Sequence, residues 1–251
     1  MNRLFELPKP IIFAHRGASA YAPENTMAAF RLAAQQGVEA IELDAKLSAD
    51  GEVIVIHDKT VDRTTNAKGA VSQFSLRDFQ QMDAGSYFSE EFRGESVPAL
   101  RQVFEEFGRK LYINVELTNY ATPRDPLPEK VAELVRLFHL EDWVLFSSFN
   151  PINLYRIRRL LPECPVGILA LEGLAGWLAR SFIGSWFAPH IVHPYLRDAT
   201  KSFIQKQHDR HRRVHVWTVN DPLDIQRLFE DGADGIFTDD PVVAQQIRNR
   251  L

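Results

Sequence analysis

The sequence predicts an α/β fold, a closed (β/α)8 barrel with a small insertion after the second strand. Three observations lead there. Short apolar segments rich in β-branched residues recur at 11–14, 40–44, 111–117, 143–147, 166–169, 191–193, 214–219 and 235–238. Runs of this kind suit strands covered on both faces. Amphipathic helical runs separate several of them, the pattern of a parallel sheet, and eight strands favour closure over an open sheet. The length of 251 residues matches one such barrel.

Taken in order, the strand at 11–14 runs into His15-Arg16-Gly17, and Gly37 is placed to end the helix that follows. The strand at 40–44 is followed by an excursion over about 45–104. It opens with a hairpin signal and continues through a polar stretch containing the helix-like SLRDFQQM. This reads as an insertion within one domain spanning 1–251, too short and too polar to hold much core. Further on, Val131, Leu134, Val135 and Phe138 share one helical face, and Ile225, Leu228 and Phe229 share another. Pro222 and Pro241 each follow an N-cap residue, Asp221 and Asp240, and so mark helix starts. The segment GLAGWLARSFIGSWFAP, 173–189, is rich in aromatic residues. The first expectation for it is a helix packed against the barrel. The second is a lid or lipid-facing wall, with Trp177, Phe182, Trp186 and Phe187 meeting an acyl chain or a membrane surface.

Composition narrows the function classes. With 29 basic and 33 acidic residues the formal charge is −4, and no basic block points to nucleic acid. The single cysteine, Cys164, excludes an internal disulfide and a cysteine zinc site, and suits a reducing, cytoplasmic setting. The start, MNRLFELPKP, lacks the apolar run of a signal peptide. No apolar run approaches the roughly eighteen residues of a membrane span.

The strand ends carry the chemistry. Side chains alternate along a strand, so Glu42 and Asp44 share a face while Ile41 and Leu43 point toward the covering helices. In a barrel the two acids face the interior near the C-terminal rim, where barrel active sites lie. Tyr112, Asn114 and Glu116 repeat the pattern one strand on, and His15 takes the equivalent place after 11–14. Reading Asp50-Gly51 as the centre of a two-residue type I′ turn pairs Ala49 with Glu52. That register sets His57 opposite Asp44, with Cβ atoms about 4.5–5.5 Å apart.

Three acids converging among apolar strands call for positive charge between them. A hard divalent cation with oxygen ligands, Mg²⁺ or Ca²⁺, is the leading reading; an ion-pair network with Lys46 or Arg16 is the competing one. Of the eight histidines, His139, His208 and His211 read as solvated, while His190, His193 and His215, nearer strand ends, read either as core or rim packing or as chemical groups. His15 and His57 project toward the acids and can serve as general acid and base. Two histidines beside a divalent cation suit in-line displacement at phosphorus. Arg16 can hold a phosphate oxygen through its planar fork, or be a surface arginine.

The segments HRGASAYAPENT at 15–26, EAIELDAKLSADGEVIVIHD at 39–58, INVELT at 113–118, HVWTVND, and DGADGIFTDDP near the C-terminus together resemble the glycerophosphodiester phosphodiesterase family. The resemblance covers nearly the whole chain. It implies a TIM barrel with a small insertion after the second strand, and hydrolysis of glycerophosphodiesters to sn-glycerol 3-phosphate and an alcohol. It also implies Glu42, Asp44 and Glu116 as metal ligands, His15 and His57 as the acid–base pair, and Arg16 as a phosphate contact. Trp217 would line the glycerol side of the pocket; from the residues alone it reads equally as a barrel-core aromatic. Many family members carry lysine two places after the third metal ligand, where this chain has Thr118. A nearby cation for phosphate is then missing or supplied from elsewhere, and Asn119 and Arg124 are the neighbouring groups that could contribute to the phosphate site. Two other activities stay open: lysophospholipase D-like hydrolysis of lysophospholipids, and non-catalytic binding of phosphodiesters.

Overall fold

A computed structural model describes residues 2–251. Nine strands form one sheet: β1 (Ile11–Ala14), β2 (Ala40–Leu47), β3 (Val53–Val55), β4 (Tyr112–Leu117), β5 (Val144–Ser148), β6 (Val166–Ala170), β7 (Ile191–Pro194), β8 (Arg213–Val216) and β9 (Gly235–Thr238). All but β3 pair in parallel in the order β1-β9-β8-β7-β6-β5-β4-β2, and a β1–β2 pairing closes the ring. This is the expected eight-stranded barrel. Strand β3 hangs antiparallel on the end of β2.

The punctuation acts as its chemistry dictates. Helix α1 (Met27–Gln35) stops just before Gly37, whose φ of 74° few other residues tolerate. After the insertion's helix α2 (Leu76–Gln81) and then α3 (Leu100–Phe107), helix α4 (Leu127–Phe138) buries Val131 and Val135 against the barrel. Helix α5 (Pro151–Leu160) follows β5. Near the C-terminus α9 (Pro222–Glu230) and α10 (Pro241–Arg248) begin at prolines, with Asp221 and Asp240 accepting hydrogen bonds from first-turn N–H groups.

Outward-facing strand residues such as Ile41, Leu43, Ile113 and Val115 join the helix faces in the main apolar core. The inner barrel divides by depth. Its lower part is a second apolar cluster of Leu4, Ile11, Phe13, Tyr112, Leu145 and Phe237. The Tyr112 hydroxyl donates to Asn2 Oδ1 at 2.6 Å, so the start of the chain plugs the bottom. His193 and His215 are buried there, 5.4 Å apart, against Phe13 and Phe237. They are core residues, one of the two readings open for them. Gly167 makes the room: a Cβ on it would lie 1.9 Å from His193 Nε2. Among the histidines expected to be solvated, His208 departs, for its Nε2 meets the buried carboxylate of Asp234 at 2.8 Å.

Two further expectations need correction. The hairpin register is shifted by one residue from that of a two-residue turn: Leu47 pairs with Val53 and Ala45 with Val55. Only Gly51 of its loop has positive φ, at 79°, whereas a type I′ turn needs two such residues. Asp50 is held instead by Ser48 Oγ, which donates to it, and by the Leu76 N–H at the start of α2. The loop therefore has three residues, 49–51, closed by a hydrogen bond from Ser48 N–H to Glu52 O. Asp44 faces Ile56, and His57 lies beyond the ladder. The insertion also holds more core than expected, with Ile54, Ile56, Val61, Val71, Phe79 and Val97 buried together.

Burial drives the His193 imidazole down to about 3 and His215 well below its ordinary value. Unfolded imidazoles titrate near about 6.5, so between those values the unfolded chain binds more protons than the folded one. The stability of the neutral pair is fully present above about pH 6.5 and drains away as pH falls toward 3. Thermal melts against pH should show a shallower acid-side loss for His193→Leu than for the parent chain.

Candidate active site

Strand pairing builds the centre of the site. β2 and β4 run in register with Asp44 beside Glu116 and Glu42 beside Asn114. Glu42, Asp44 and Glu116 each offer a carboxylate oxygen, all within 4.8 Å of one another. Glu42 and Asp44 are almost wholly buried. Burial and the neighbouring carboxylates push Glu42 well above the ordinary value, and burial and then Asp44 push Glu116 to about 8. Burial works against the charge of Asp44 too, but Arg16, His57 and the Asn25 amide outweigh it and hold its carboxyl below normal. An all-oxygen set whose members repel one another fits a hard divalent cation.

The turn after β1 supplies the counter-groups. Arg16 and Asn25 both sit at φ 57° and Gly17 at 86°. A Cβ on Gly17 would lie 2.7 Å from the Ala29 backbone, so α1 can approach only because this residue is glycine. The turn aims the Arg16 N–H at Glu42 Oε2 (3.0 Å) and brings Arg16 Nε to 3.2 Å from Asp44. Arg16 Nη1 donates to Glu24, and the Asn25 amide donates to Asp44 Oδ2 at 2.9 Å. The expected phosphate contact is thus bound to two carboxylates while still lining the pocket.

His15 and His57 line the same pocket as Glu42 and Glu116. His15 Nδ1 lies 2.6 Å from Asp239, and His57 Nδ1 lies 2.8 Å from Asp58. A carboxylate only accepts, so each Nδ1 carries the proton and each Nε2 is left for the pocket. Asp239 is oriented by Asn220 and Ser19; Asp58 by Arg63, whose hydrogen bond holds it down at about 2. Arg63 also clamps Glu24, tying the insertion to the turn after β1. Trp217 walls the pocket, its indole N–H donating to His193 O and its ring against Phe149.

Several of these groups gain their place in the site only through distant partners. Asp58 and Asp239 were visible inside the HD and TDD segments, yet nothing in the sequence tied them to a histidine. Tyr120, whose hydroxyl donates to Glu116 at 2.6 Å, gave no signal. Lys46 is two residues beyond Asp44 on the same strand face, and its Nζ donates to Thr118 Oγ1 at 2.6 Å and to Thr118 O at 3.1 Å. Asn119 is occupied by Asp125 of its own loop and by Asn153 of α5, and Arg124 is exposed.

The parallel barrel brings an acidic triad and two carboxylate-held histidines to one pocket, a set of groups suited to phosphodiester cleavage. Residues 15–243 match the model of the Glycerophosphoryl diester phosphodiesterase family, and the chain belongs to that family. It is an enzyme, a phosphoric diester hydrolase. A glycerophosphodiester phosphodiesterase of Caldanaerobacter subterraneus is 36% identical, with 93% of this chain and 95% of that protein covered. One of Bacillus altitudinis is 34% identical over 96% of this chain and 98% of its own. Among solved structures, an Oleispira antarctica phosphodiesterase in complex with the product sn-glycerol-3-phosphate aligns with a TM-score of 0.85 at 27% identity, covering 99% of this chain and all of that one.

Without a cation, Glu42 and Glu116 hold protons that the unfolded chain releases near about 4.3. That part of stability is present at low pH and is lost as pH rises toward 8. Divalent cation binding displaces those protons. The rise in Tm on adding Mg²⁺ or Ca²⁺ should therefore be larger at about pH 8 than at about pH 6, and absent in Glu42→Gln/Glu116→Gln, as read by differential scanning fluorimetry.

Proposed function

We propose that this chain hydrolyses glycerophosphodiesters, such as glycerophosphocholine or glycerophosphoethanolamine, to sn-glycerol 3-phosphate and an alcohol. The observation that carries this reading is the pair of carboxylate-held histidines opening on one pocket with the acidic triad. Glu42, Asp44 and Glu116 hold one divalent cation, Mg²⁺ or Ca²⁺. When bound, that ion draws negative charge from the phosphoryl oxygens and orients them. One neutral imidazole takes at Nε2 the proton of the attacking hydroxyl as that oxygen bonds to phosphorus, while the other ring, entering the step as imidazolium, gives its Nε2 proton to the alcohol oxygen as the bond from that oxygen to phosphorus breaks. Asp239 and Asp58, each at the Nδ1 of its ring, fix the orientation of both and stabilise the imidazolium form. Arg16 steers the phosphate, and Trp217 covers the glycerol carbons.

The cation expected at the Thr118 position comes from the neighbouring strand. Lys46 reaches the Thr118 hydroxyl from β2, beside Asp44, and lines the hollow next to His57. In this reading Lys46 Nζ serves the phosphate in place of a lysine at 118.

A lysophospholipid substrate is the second reading, and one observation favours it. An apolar groove of about 280 Å³ shares Phe149 and Leu169 with the catalytic pocket and continues along Leu171, Leu178, Ile183 and Phe187. An acyl chain attached to a phosphodiester in the pocket has somewhere to lie.

Positioned acid–base groups contribute about 10²–10⁴-fold, so His15→Ala and His57→Ala should each lower kcat by about that factor, and EDTA should abolish turnover of glycerophosphocholine. Full activity in EDTA, or in the double histidine variant, would sink the mechanism. Lys46→Gln should cost roughly 10- to 100-fold in kcat/KM, as loss of a charged hydrogen bond worth about 1.5–3 kcal/mol implies. Lys46→Gln/Thr118→Lys should recover most of it. Unchanged activity in Lys46→Gln would remove the lysine from the reaction. Lysophosphatidylcholine turned over as fast as glycerophosphocholine would favour the second reading.

A further inference from the structure

The segment after β6 departs most from its first expectation. It folds as two short helices, α6 (Trp177–Arg180) and α7 (Phe182–Phe187), that do not bury their apolar side chains. Trp177 is 59% exposed, Phe182 60% and Trp186 66%, with Leu174 and Leu178 exposed beside them. A single lobe therefore presents a contiguous apolar surface of the kind that monomeric proteins rarely leave uncovered.

The lobe is held firmly. Arg180 donates to the carbonyls of Leu171 and Gly173 and pairs with Asp198 at 2.8 Å. Arg158 donates to the Trp186 carbonyl at 2.9 Å. Gly176 and Gly184 let turns of backbone touch, since a Cβ on either would fall about 2 Å from a carbonyl oxygen, at 1.9 Å from Leu171 O and 2.0 Å from Ala179 O. These contacts fix the backbone while the rings of Phe182 and Trp186 lean on each other, 5.9 Å apart, and face outward.

Charge says what the surface meets. Residues 173–189 contain no acid, and their one charge is Arg180. A hollow beside the lobe brings Trp177 and Phe182 together with Lys206 and Arg210 on and just after α8 (Lys201–His208), and no carboxylate lines it. The chain as a whole carries −4, so this basic rim runs against the overall balance. Tryptophan and phenylalanine backed by lysine and arginine is the chemistry of the boundary between acyl chains and anionic headgroups. A symmetric contact with a second copy fits less well, because it would bring two sets of Lys206 and Arg210 to one seam.

The geometry points to a reversible docking surface for an anionic phospholipid bilayer, formed by Trp177, Phe182 and Trp186 with Lys206 and Arg210 as its basic rim. The apolar groove leads from this lobe to Phe149 and Leu169 at the pocket, so a docked molecule has its active site open near the lipid surface. Docking needs no turnover and stands apart from the choice of substrate.

Co-sedimentation of the full chain with phosphatidylcholine vesicles, with and without an equal share of phosphatidylglycerol, tests it. Binding to the mixed vesicles should be strong at low salt and fall as salt rises. Trp177→Ser/Phe182→Ser/Trp186→Ser should weaken it by about tenfold or more. Lys206→Gln/Arg210→Gln should weaken binding to anionic vesicles by about tenfold, each charge near the surface being worth a several-fold change, and leave the pure phosphatidylcholine result unchanged. Both variants should keep their turnover of glycerophosphocholine and their melting temperature, since the altered side chains lie outside the site and the core. Failure of the parent chain to sediment with mixed vesicles overturns the proposal. So does binding that neither variant reduces, or a dimer in sedimentation velocity that the aromatic variant abolishes.

Discussion

The repulsion among three carboxylates inside an apolar barrel governs this molecule. Strand alternation puts Glu42 and Asp44 on the inner face, and the parallel register of β2 and β4 sets Glu116 beside them. In a low-dielectric interior such a group cannot stay fully ionised unaided. The surrounding structure answers with directed donors. The turn after β1 takes up left-handed conformations at Arg16, Gly17 and Asn25 to bring a guanidinium, a backbone N–H and an amide onto Glu42 and Asp44. Tyr120 reaches Glu116 from the loop after β4. These groups stabilise the triad only in part, and the remaining imbalance suits the centre to a cation more than to a finished ion-pair network.

The inner barrel therefore has two levels with opposite electrostatics. Below, His193, His215, Phe13 and Phe237 form a neutral plug in which the imidazoles act as apolar rings. Above, the carboxylates, Arg16 and Lys46 crowd the mouth. Gly167 and the Asn2–Tyr112 hydrogen bond seal the lower level without charge. The upper level, with its strained turn and buried ions, rests on a base that can be packed for stability.

What the sequence made legible follows from local rules. Period-2 alternation gave the facing of Glu42, Asp44 and Glu116, and apolar runs gave six of the eight barrel strands to within one residue at each end; β2 runs three residues past its expected end and β8 stops three residues short of its own. Rules fail where a choice depends on distant contacts. The turn at 49–51 is set by the bonds of Asp50 to Ser48 and to the start of α2, which no local pattern reveals. His57 still reaches the pocket, by leaving the ladder and not by pairing within it. Asp239, Glu24, Arg63 and Lys46 matter through partners chosen in three dimensions. The lobe at 173–189 shows another limit: an apolar face reads the same whether it packs on a barrel or stands in the open.

The bond between His15 and Asp239 joins residues 224 positions apart. It links the first barrel strand to the last, so the Nδ1–H tautomer of His15 is a property of the closed ring. A growing chain has all three carboxylates once residue 116 is made, yet Asp239 and Asn220, which orient the ring, arrive only with the final turns of the barrel. A barrel without its last strand gathers the three acids but lacks the carboxylate that orients the His15 ring. The last strand thus serves as the lock on the first.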